Sequence, residues 1–245
     1  MADDIDLTIM SWNLAMFERS ADAPTYWGHS DIEAAVRGAV LDLEPDIVVF
    51  QELPGLVPYV ETHDMVRSNP RSHSGNLATL VSHTLMATNR PRPSVVSRAA
   101  LLTVFANLDF TVANVHLAPG RGGAEERRSQ LAAVVEQCPT ERLVIIGDTN
   151  TRLSEDEAIA RLGLTVERPP APTWDGHRNR FRHDGARFRA YFTRAFTAGP
   201  VSLRSQTVLS DRAIELDGSR FHVSDHFPLL VAVRGGPPES GSKHP

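Results

Sequence analysis

Short apolar runs punctuate this chain, and most read as strands. They are IDLTIMSW (5–12), DIVVFQ (46–51), NLATLVSH (76–83), RAALLTVFANL (98–108), FTVANVHL (110–117), RLVIIGD (142–148), RFRAYFTRAF (187–196) and FPLLVAV (227–233). β-Branched and aromatic residues over 6–11 positions, bounded by turn formers, favour extended backbone. Asn107-Leu108-Asp109 fits a hairpin turn between two of them. Between other runs the spacing turns helical. Ser30-Asp31-Ile32-Glu33 has a capping-box pattern and opens a helix to about Leu43, with Pro45 beyond the stop. Residues 123–137 place Ala124, Leu131, Val134 and Val135 on one helical face. Ser154–Glu157 opens a short helix that stops near Gly163. Strands outnumber helices and arrive both as hairpins and through helical crossovers. The expected fold class is α/β: two mixed, mostly antiparallel sheets packed face to face, with helices outside.

No linker divides the chain, so residues 1–234 read as one domain. The Gly-, Pro- and Ser-rich stretch 235–245 reads as a disordered tail. The 245 residues carry a net charge of -5, which speaks against a general nucleic-acid binder. A local basic patch is compatible with that charge, because residues 177–194 hold six Arg and no Lys. The one cysteine, Cys138, excludes an internal disulfide and reads as a packing residue. The N-terminus lacks the basic and apolar regions of a signal peptide, and no run approaches the ~18 residues of a membrane span. A cytoplasmic protein without membrane contact is expected; the oligomeric state is open.

The chemistry lies where polar residues meet strand ends. Asn13, Glu52, His116, Asp148 and Asn150 close or follow four apolar runs, and Asp225-His226 precede a fifth. If the last strand runs antiparallel to the others, all seven gather at one rim. Carboxylates and amides are hard oxygen ligands, and they suit Mg²⁺ or Mn²⁺ better than zinc. Such an ion leaves positions for phosphate oxygens and water, so the set suits metal-assisted phosphoester hydrolysis.

These residues sit in "TIMSWN", "PDIVVFQE", "ANVHL", "VIIGDTN" and "SDHFP". In order and spacing the five stretches resemble the endonuclease/exonuclease/phosphatase family, across about residues 7–233. The resemblance implies a four-layer α/β/β/α sandwich and a Mg²⁺-dependent phosphohydrolase. It implies Glu52 as main metal ligand, with Asn13 beside the metal and Asp225 completing its shell. Asp148 would orient or deprotonate the attacking water. Asn150, His116 and His226 would bind phosphate oxygens. "HLAPGRGGAEERRSQL", "GDTNTR", "PTWD" and "RFRAYFTR" are most similar to the 5′-tyrosyl-DNA phosphodiesterases. A phosphoester substrate follows, with nucleic acid or a nucleotide among the candidates. Arg121, Arg152, Arg189 and Trp174 are its candidate contacts, and Tyr26-Trp27 could flank the cleft.

The chain also departs from that family. The carboxylate partner of the histidine usually comes from a strand reading Arg-(Ile/Leu/Phe)-Asp-(Tyr/Arg). Aligned on Arg187–Tyr191, the aspartate position holds Arg189, or Ala190 if the register slips by one. Asp184, in a Gly-containing turn, is then the nearest substitute. Ala15 and Ala118 stand where the tyrosyl-DNA phosphodiesterases carry acids, which bears on substrate and not on the metal core. Three functions compete: a phosphodiesterase, a phosphomonoesterase on a small metabolite, and a non-catalytic phosphate binder supported only by Arg189.

Overall fold

The computed structural model describes residues 5–54, 57–69, 76–178, 181 and 188–236. In chain order the elements are β1 (Asp6–Asn13), α1 (His29–Leu43), β2 (Ile47–Leu53), β3 (His63–Asn69), β4 (Asn76–Ser82), α2 (His83–Asn89), β5 (Arg92–Ser97), β6 (Ala100–Phe105) and β7 (Phe110–His116). There follow α3 (Ala124–Gln137), β8 (Arg142–Asp148), α4 (Asp156–Ala160), β9 (Thr165–Val166), β10 (Trp174–Asp175), β11 (Arg189–Ala190) and β12 (Thr193–Ala198). The chain continues with β13 (Val201–Val208), β14 (Ile214–Leu216), β15 (Ser219–Phe221) and β16 (Leu229–Gly235).

Two six-stranded sheets form the body, in the orders β13-β16-β1-β2-β4-β3 and β5-β6-β7-β8-β12-β9. Each contains one parallel pair, β1 with β2 and β7 with β8; the other pairs are antiparallel. The parallel pairs are the ones joined through a long helix, because a parallel neighbour needs a crossover. Helix α1 covers the outer face of the first sheet through Ile32, Val36 and Val40. Helix α3 covers the outer face of the second through Leu131 and Val134. The result is the expected α/β/β/α sandwich. Among the described residues no helix is long and apolar enough to cross a membrane.

Strand alternation builds the layers. Ile9, Ile47, Val49, Val112, Val144 and Ile146 point between the sheets and are fully buried. Their neighbours Met10, Val48 and Phe50 pack under α1, and Ala113, Leu143 and Ile145 under α3. Each fully buried Val, Ile or Phe contributes about 1.5–3 kcal/mol. Followed toward the rim, the same inward faces turn polar. Leu7 and Ile9 lead to Ser11 and Asn13, Ile47 and Val49 to Gln51, Phe110 and Val112 to Asn114 and His116, Val144 and Ile146 to Asp148. A period of two therefore delivers the polar groups into one space.

Several predicted elements shift. The run 187–196 is not one strand. It breaks at Tyr191-Phe192 into β11, paired with β10, and β12, paired with β8 and β9. At the break the Phe192 carbonyl accepts Thr149 N and Oγ1, which turns the chain into the second sheet. The strand 98–108 starts at Ala100 and gives way to a 3-10 turn over Ala106–Leu108, with Asp109 left-handed at φ 46°. Strands β3, β5 and β13 lack the apolar signature because they are edges with solvated faces; β5 carries Pro93, which an edge tolerates. Helix α1 begins at His29, where the Asp31 carboxylate accepts Gly28 N at 2.9 Å, so Ser30 is inside the helix. Likewise Glu155 accepts Arg152 N at 2.9 Å, and Ser154 is not the cap. Gly235 closes β16 and Gly236 N donates to Pro200 O, so order runs two residues into the expected tail; residues 237–245 lie outside the described residues. Cys138 is partly buried against the α3 core, as a packing residue.

Candidate active site

Four strand ends and the entry to β16 meet at one rim. Asn13 lies level with Gln51, and His116 with Asp148. β16 runs against β1, and the Trp12 indole holds the His226 carbonyl at 3.0 Å. Asp148 is 2% exposed and central. Its Oδ2 accepts Asn13 Nδ2 at 2.9 Å and faces His116 Nε2 at 3.6 Å and His226 Nε2 at 3.7 Å. Its Oδ1 accepts Asn150 N at 3.1 Å, an Asx turn.

Glu52 reaches the same space by breaking alternation. Gln51 already points inward, so Glu52 should point out. A bulge in the pairing of β2 with β4 between Phe50 and Leu53, and a left-handed Glu52 at φ 52°, bring both side chains to the site. A non-glycine residue there costs about 1–2 kcal/mol, and such strain clusters at functional sites. Glu52 Oε1 accepts Asn13 Nδ2 at 3.0 Å and lies 3.5 Å from His116 Nε2. Asn13 Nδ2 thus bridges the two carboxylates, while its Oδ1 accepts Ala15 N. Ala15, Met16 and Phe17 then make a left-handed turn, with φ between 46° and 57°. Burial holds the Glu52 carboxyl above the usual carboxylate range. His116 and the Asn13 bond oppose that, and Asp148 adds to it.

Ligand atoms of Glu52, His116 and Asp148 lie within 4.8 Å of one another. Two carboxylates at that distance, one resisting ionisation through burial, fit a hard divalent cation, which would offset both the repulsion and the desolvation. Asp225 stands at the margin: its Oδ1 is 4.0 Å from His226 Nε2, and its Oδ2 faces the Trp174 indole at 3.4 Å. Asn150, left-handed at φ 50°, donates Nδ2 to Leu117 O at 3.2 Å.

The expected arginine opposite His226 is corrected. Arg189 lies on β11, its side chain is 60% exposed, and its Nε donates to Asp175 at 2.8 Å. His226 Nδ1 instead faces the Thr193 hydroxyl at 3.3 Å. Thr193 is fully buried, pairs with Asp148 and is anchored by Thr173 Oγ1 on its amide. The Phe-Asp-Arg pattern falls four residues later than Arg187–Tyr191 suggests, on Phe192-Thr193-Arg194, with threonine for aspartate. In sequence alone both stretches fit the pattern, and only the fold separates them. The substitute proposed from sequence, Asp184, lies outside the described residues.

Trp174, which the sequence leaves open between a stacking contact and a strand-edge core residue, takes the core position. It is 8% exposed and packs against Phe188 at 4.4 Å and Phe192 at 6.0 Å, so Phe188 is the ring that meets solvent. Arg121, Arg152 and Arg189 line one cleft of about 420 Å³ with Phe188 and Tyr191. The Arg152 guanidinium lies 4.5 Å above the Phe192 ring, which is 6.1 Å from the His226 ring. Tyr26 bonds Asp217 and Trp27 packs on Phe221, so that loop joins the β14–β15 hairpin. Sequence reasoning also missed Gln51 and Asn114. Gln51 Nε2 donates to Asn114 Oδ1 at 2.8 Å, and Asn114 Nδ2 donates to Phe50 O and Ala78 O. No sequence signal marks such a pair, because its partners are 63 residues apart.

The sequence profile of the endonuclease/exonuclease/phosphatase family matches residues 10–226, a span that holds the whole cluster. The chain belongs to this family. No curated protein sequence matches it. Among solved structures, D. rerio TDP2 complexed with single strand DNA product superposes with a TM-score of 0.70 at 17% identity, covering 93% of this chain and 98% of that one. An endonuclease/exonuclease/phosphatase family protein from Bacteroides thetaiotaomicron gives 0.68 at 17% identity, with full coverage of both chains. The inositol polyphosphate 5-phosphatase domain of SPsynaptojanin, in complex with inositol (1,4)-bisphosphate and calcium ion, gives 0.53 at 13% identity, covering 96% and 86%. Identities this low speak to the fold. Family membership supports a phosphoester hydrolase.

Proposed function

We propose that this family member is a Mg²⁺- or Mn²⁺-dependent phosphodiesterase that cleaves a phosphoester bond by attack of water. The observation that carries the reading is the convergence of Glu52, Asp148, His116 and His226 on one buried point, with Asn13 bridging both carboxylates. Bound there, the cation supplies Lewis-acid polarisation of the phosphoryl group and neutralisation of its charge.

The chain's own residues do the rest. Glu52 would hold the cation, with Asp148 beside it and Asp225 at the edge of its shell. Asn13 keeps the two carboxylates at a fixed separation and uses its own carbonyl on Ala15 N. Asp148 takes the proton of the attacking water. His116 and His226 donate from Nε2 to oxygens that gain charge in the transition state, and Asn150 adds its amide. The Thr193 hydroxyl fixes the His226 ring without adding a negative charge. The non-catalytic alternative loses its one support, since Arg189 is engaged by Asp175 and not set against His226.

Hydrolysis of bis-(p-nitrophenyl) phosphate tests the reading. Activity should require Mg²⁺ or Mn²⁺, vanish with EDTA and fall by about 10³-fold or more in Glu52→Ala. Metal-independent turnover, or an unimpaired Glu52→Ala, would overturn it. A phosphomonoester run in parallel separates diesterase from monoesterase action.

A further inference from the structure

We propose that Arg194 is a positioning residue: buried beneath the site, it holds the loop that presents the Asn150 amide to the phosphate. The inference rests on the phosphodiesterase reading, which gives Asn150 that contact.

Burial is the first argument. Strand β12 alternates, so Thr193 faces His226 between the sheets while Arg194 lies with Phe196 on the outer face. The Arg194 side chain is fully buried, its guanidinium 5.1 Å from the centre of the Phe196 ring. It meets one carboxylate, donating Nη1 to Asp156 Oδ1 at 2.6 Å. Among the described residues nothing accepts from its Nε or Nη2. A buried cation satisfied this sparsely carries a large desolvation cost, which an apolar side chain would avoid. Stability alone therefore does not account for it. What the charge provides is a fixed donor at one spot, because Nη1 also donates to Thr151 Oγ1 at 3.3 Å.

The direction of the hydrogen bonds is the second. Thr149 Oγ1 lies 2.9 Å from the Phe192 carbonyl, which only accepts, so its one hydroxyl hydrogen goes there. Thr151 Oγ1, 2.8 Å from Thr149 Oγ1, must then donate to it and keeps its lone pairs for Arg194. Arginine cannot accept, so the start is fixed as well. The donors run one way, from Arg194 through Thr151 and Thr149 to Phe192 O.

What this chain of bonds encloses is the third. It leaves β12 at Arg194 and returns to it at Phe192, on either side of Thr193. Asn150 sits between the two threonines, buried and left-handed at φ 50°. Such a backbone state persists where its surroundings impose it. Thr149 has a second anchor, its amide on Phe192 O at 2.8 Å. Among the described residues the other bonds of Thr151 both go to Thr149 Oγ1. Arg194 is thus the tie that reaches Thr151 from the sheet, and it fixes the chain immediately after Asn150.

The test uses the full chain, Mg²⁺ and bis-(p-nitrophenyl) phosphate. Thr151→Val breaks the chain of bonds at its middle and leaves every charge in place. Arg194→Met/Asp156→Asn removes its start without stranding a carboxylate. Each should lower kcat by about tenfold with KM little changed, because the Asn150 contact strengthens as charge develops. Thr151→Ser should restore most of the rate. Asn150→Gly keeps the left-handed backbone and deletes the amide. In that background either change should cost less than about twofold more, since the group it positions is gone. Unchanged kcat in either variant, or losses that multiply in the Asn150→Gly background, would overturn the proposal. Thr151→Val decides alone if the double variant does not fold. Failure of the phosphodiesterase reading shows separately, as absent hydrolysis by the wild type. Hydrogen exchange of the Asn150 side-chain amide then decides, its NMR signals assigned by their loss in Asn150→Gly. Exchange about tenfold faster in both variants upholds the positioning role, and equal exchange overturns it.

Discussion

Thr193 and Glu52 show how single side chains set this site. Thr193 offers His226 Nδ1 a hydroxyl at 3.3 Å and is itself fully buried. Thr193→Val keeps the shape and removes the bond. It should lower kcat by about tenfold with KM little changed, and Thr193→Ser should restore most of the rate, measured by steady-state kinetics. Glu52 carries a different tension. Its carboxyl is held above the usual range by burial and by Asp148. A folded-state pKa above the unfolded value contributes stability at low pH that is lost as pH rises through the folded pKa. Without metal, Glu52 therefore destabilises the fold at neutral pH relative to acid. Glu52→Gln should raise the metal-free Tm at pH 7, do so less at pH 4, and abolish the Tm increase that Mg²⁺ confers on the wild type. Thermal unfolding with EDTA and with Mg²⁺ checks all three.

Elements meet the site through two buried devices. Gly147 interrupts β8 one residue before Asp148 at φ 152°, and a Cβ there would lie 2.1 Å from Val115 O. β7 and β8 could then not keep their parallel register, which also sets His116 beside Asp148. Gly147→Ala should cost several kcal/mol by denaturant unfolding, since the obstacle is backbone. The second device is Arg127 of α3, fully buried. It donates Nη1 to Ala118 O and Gly120 O and grips Glu155. One side chain thus ties the loop after β7, which carries Arg121, to the loop after β8, which carries Arg152. Removing one partner of a buried pair strands the other charge, so Arg127→Ala should destabilise by about 3–5 kcal/mol.

At the scale of the molecule, the candidate site is an interface between two sheets. The first brings Asn13, Glu52 and the entry to β16 with His226; the second brings His116, Asp148 and Thr193. Polar links cross the gap: Asn13 bonds Asp148, and Asn114 bonds Gln51 and the Phe50 and Ala78 carbonyls. These bonds fix how far apart the candidate ligands stand. Asn114→Leu removes the second link and strands Gln51. It should cost about 1–3 kcal/mol in unfolding experiments and weaken Mg²⁺ activation, read as a higher metal concentration at half-maximal rate.

Much of this was legible in the sequence. Period-two runs forecast the sheets, helical crossovers forecast that they are mixed, and polar residues at strand ends forecast the rim. Those signals are local, because alternation and turn chemistry are properties of neighbouring residues. The edge strands were not legible, since a solvated strand has no apolar stripe. Other features depend on groups far apart in the chain. Only packing brings Thr193 to His226 across 33 residues, joins Gln51 to Asn114, covers Trp174 with Phe188 and turns three scattered arginines into one cleft. The sequence by itself determined the layers and which polar residues stand at the rim. The tertiary structure decided which of them face one another, because a strand pattern specifies the face a side chain takes and not what stands opposite it.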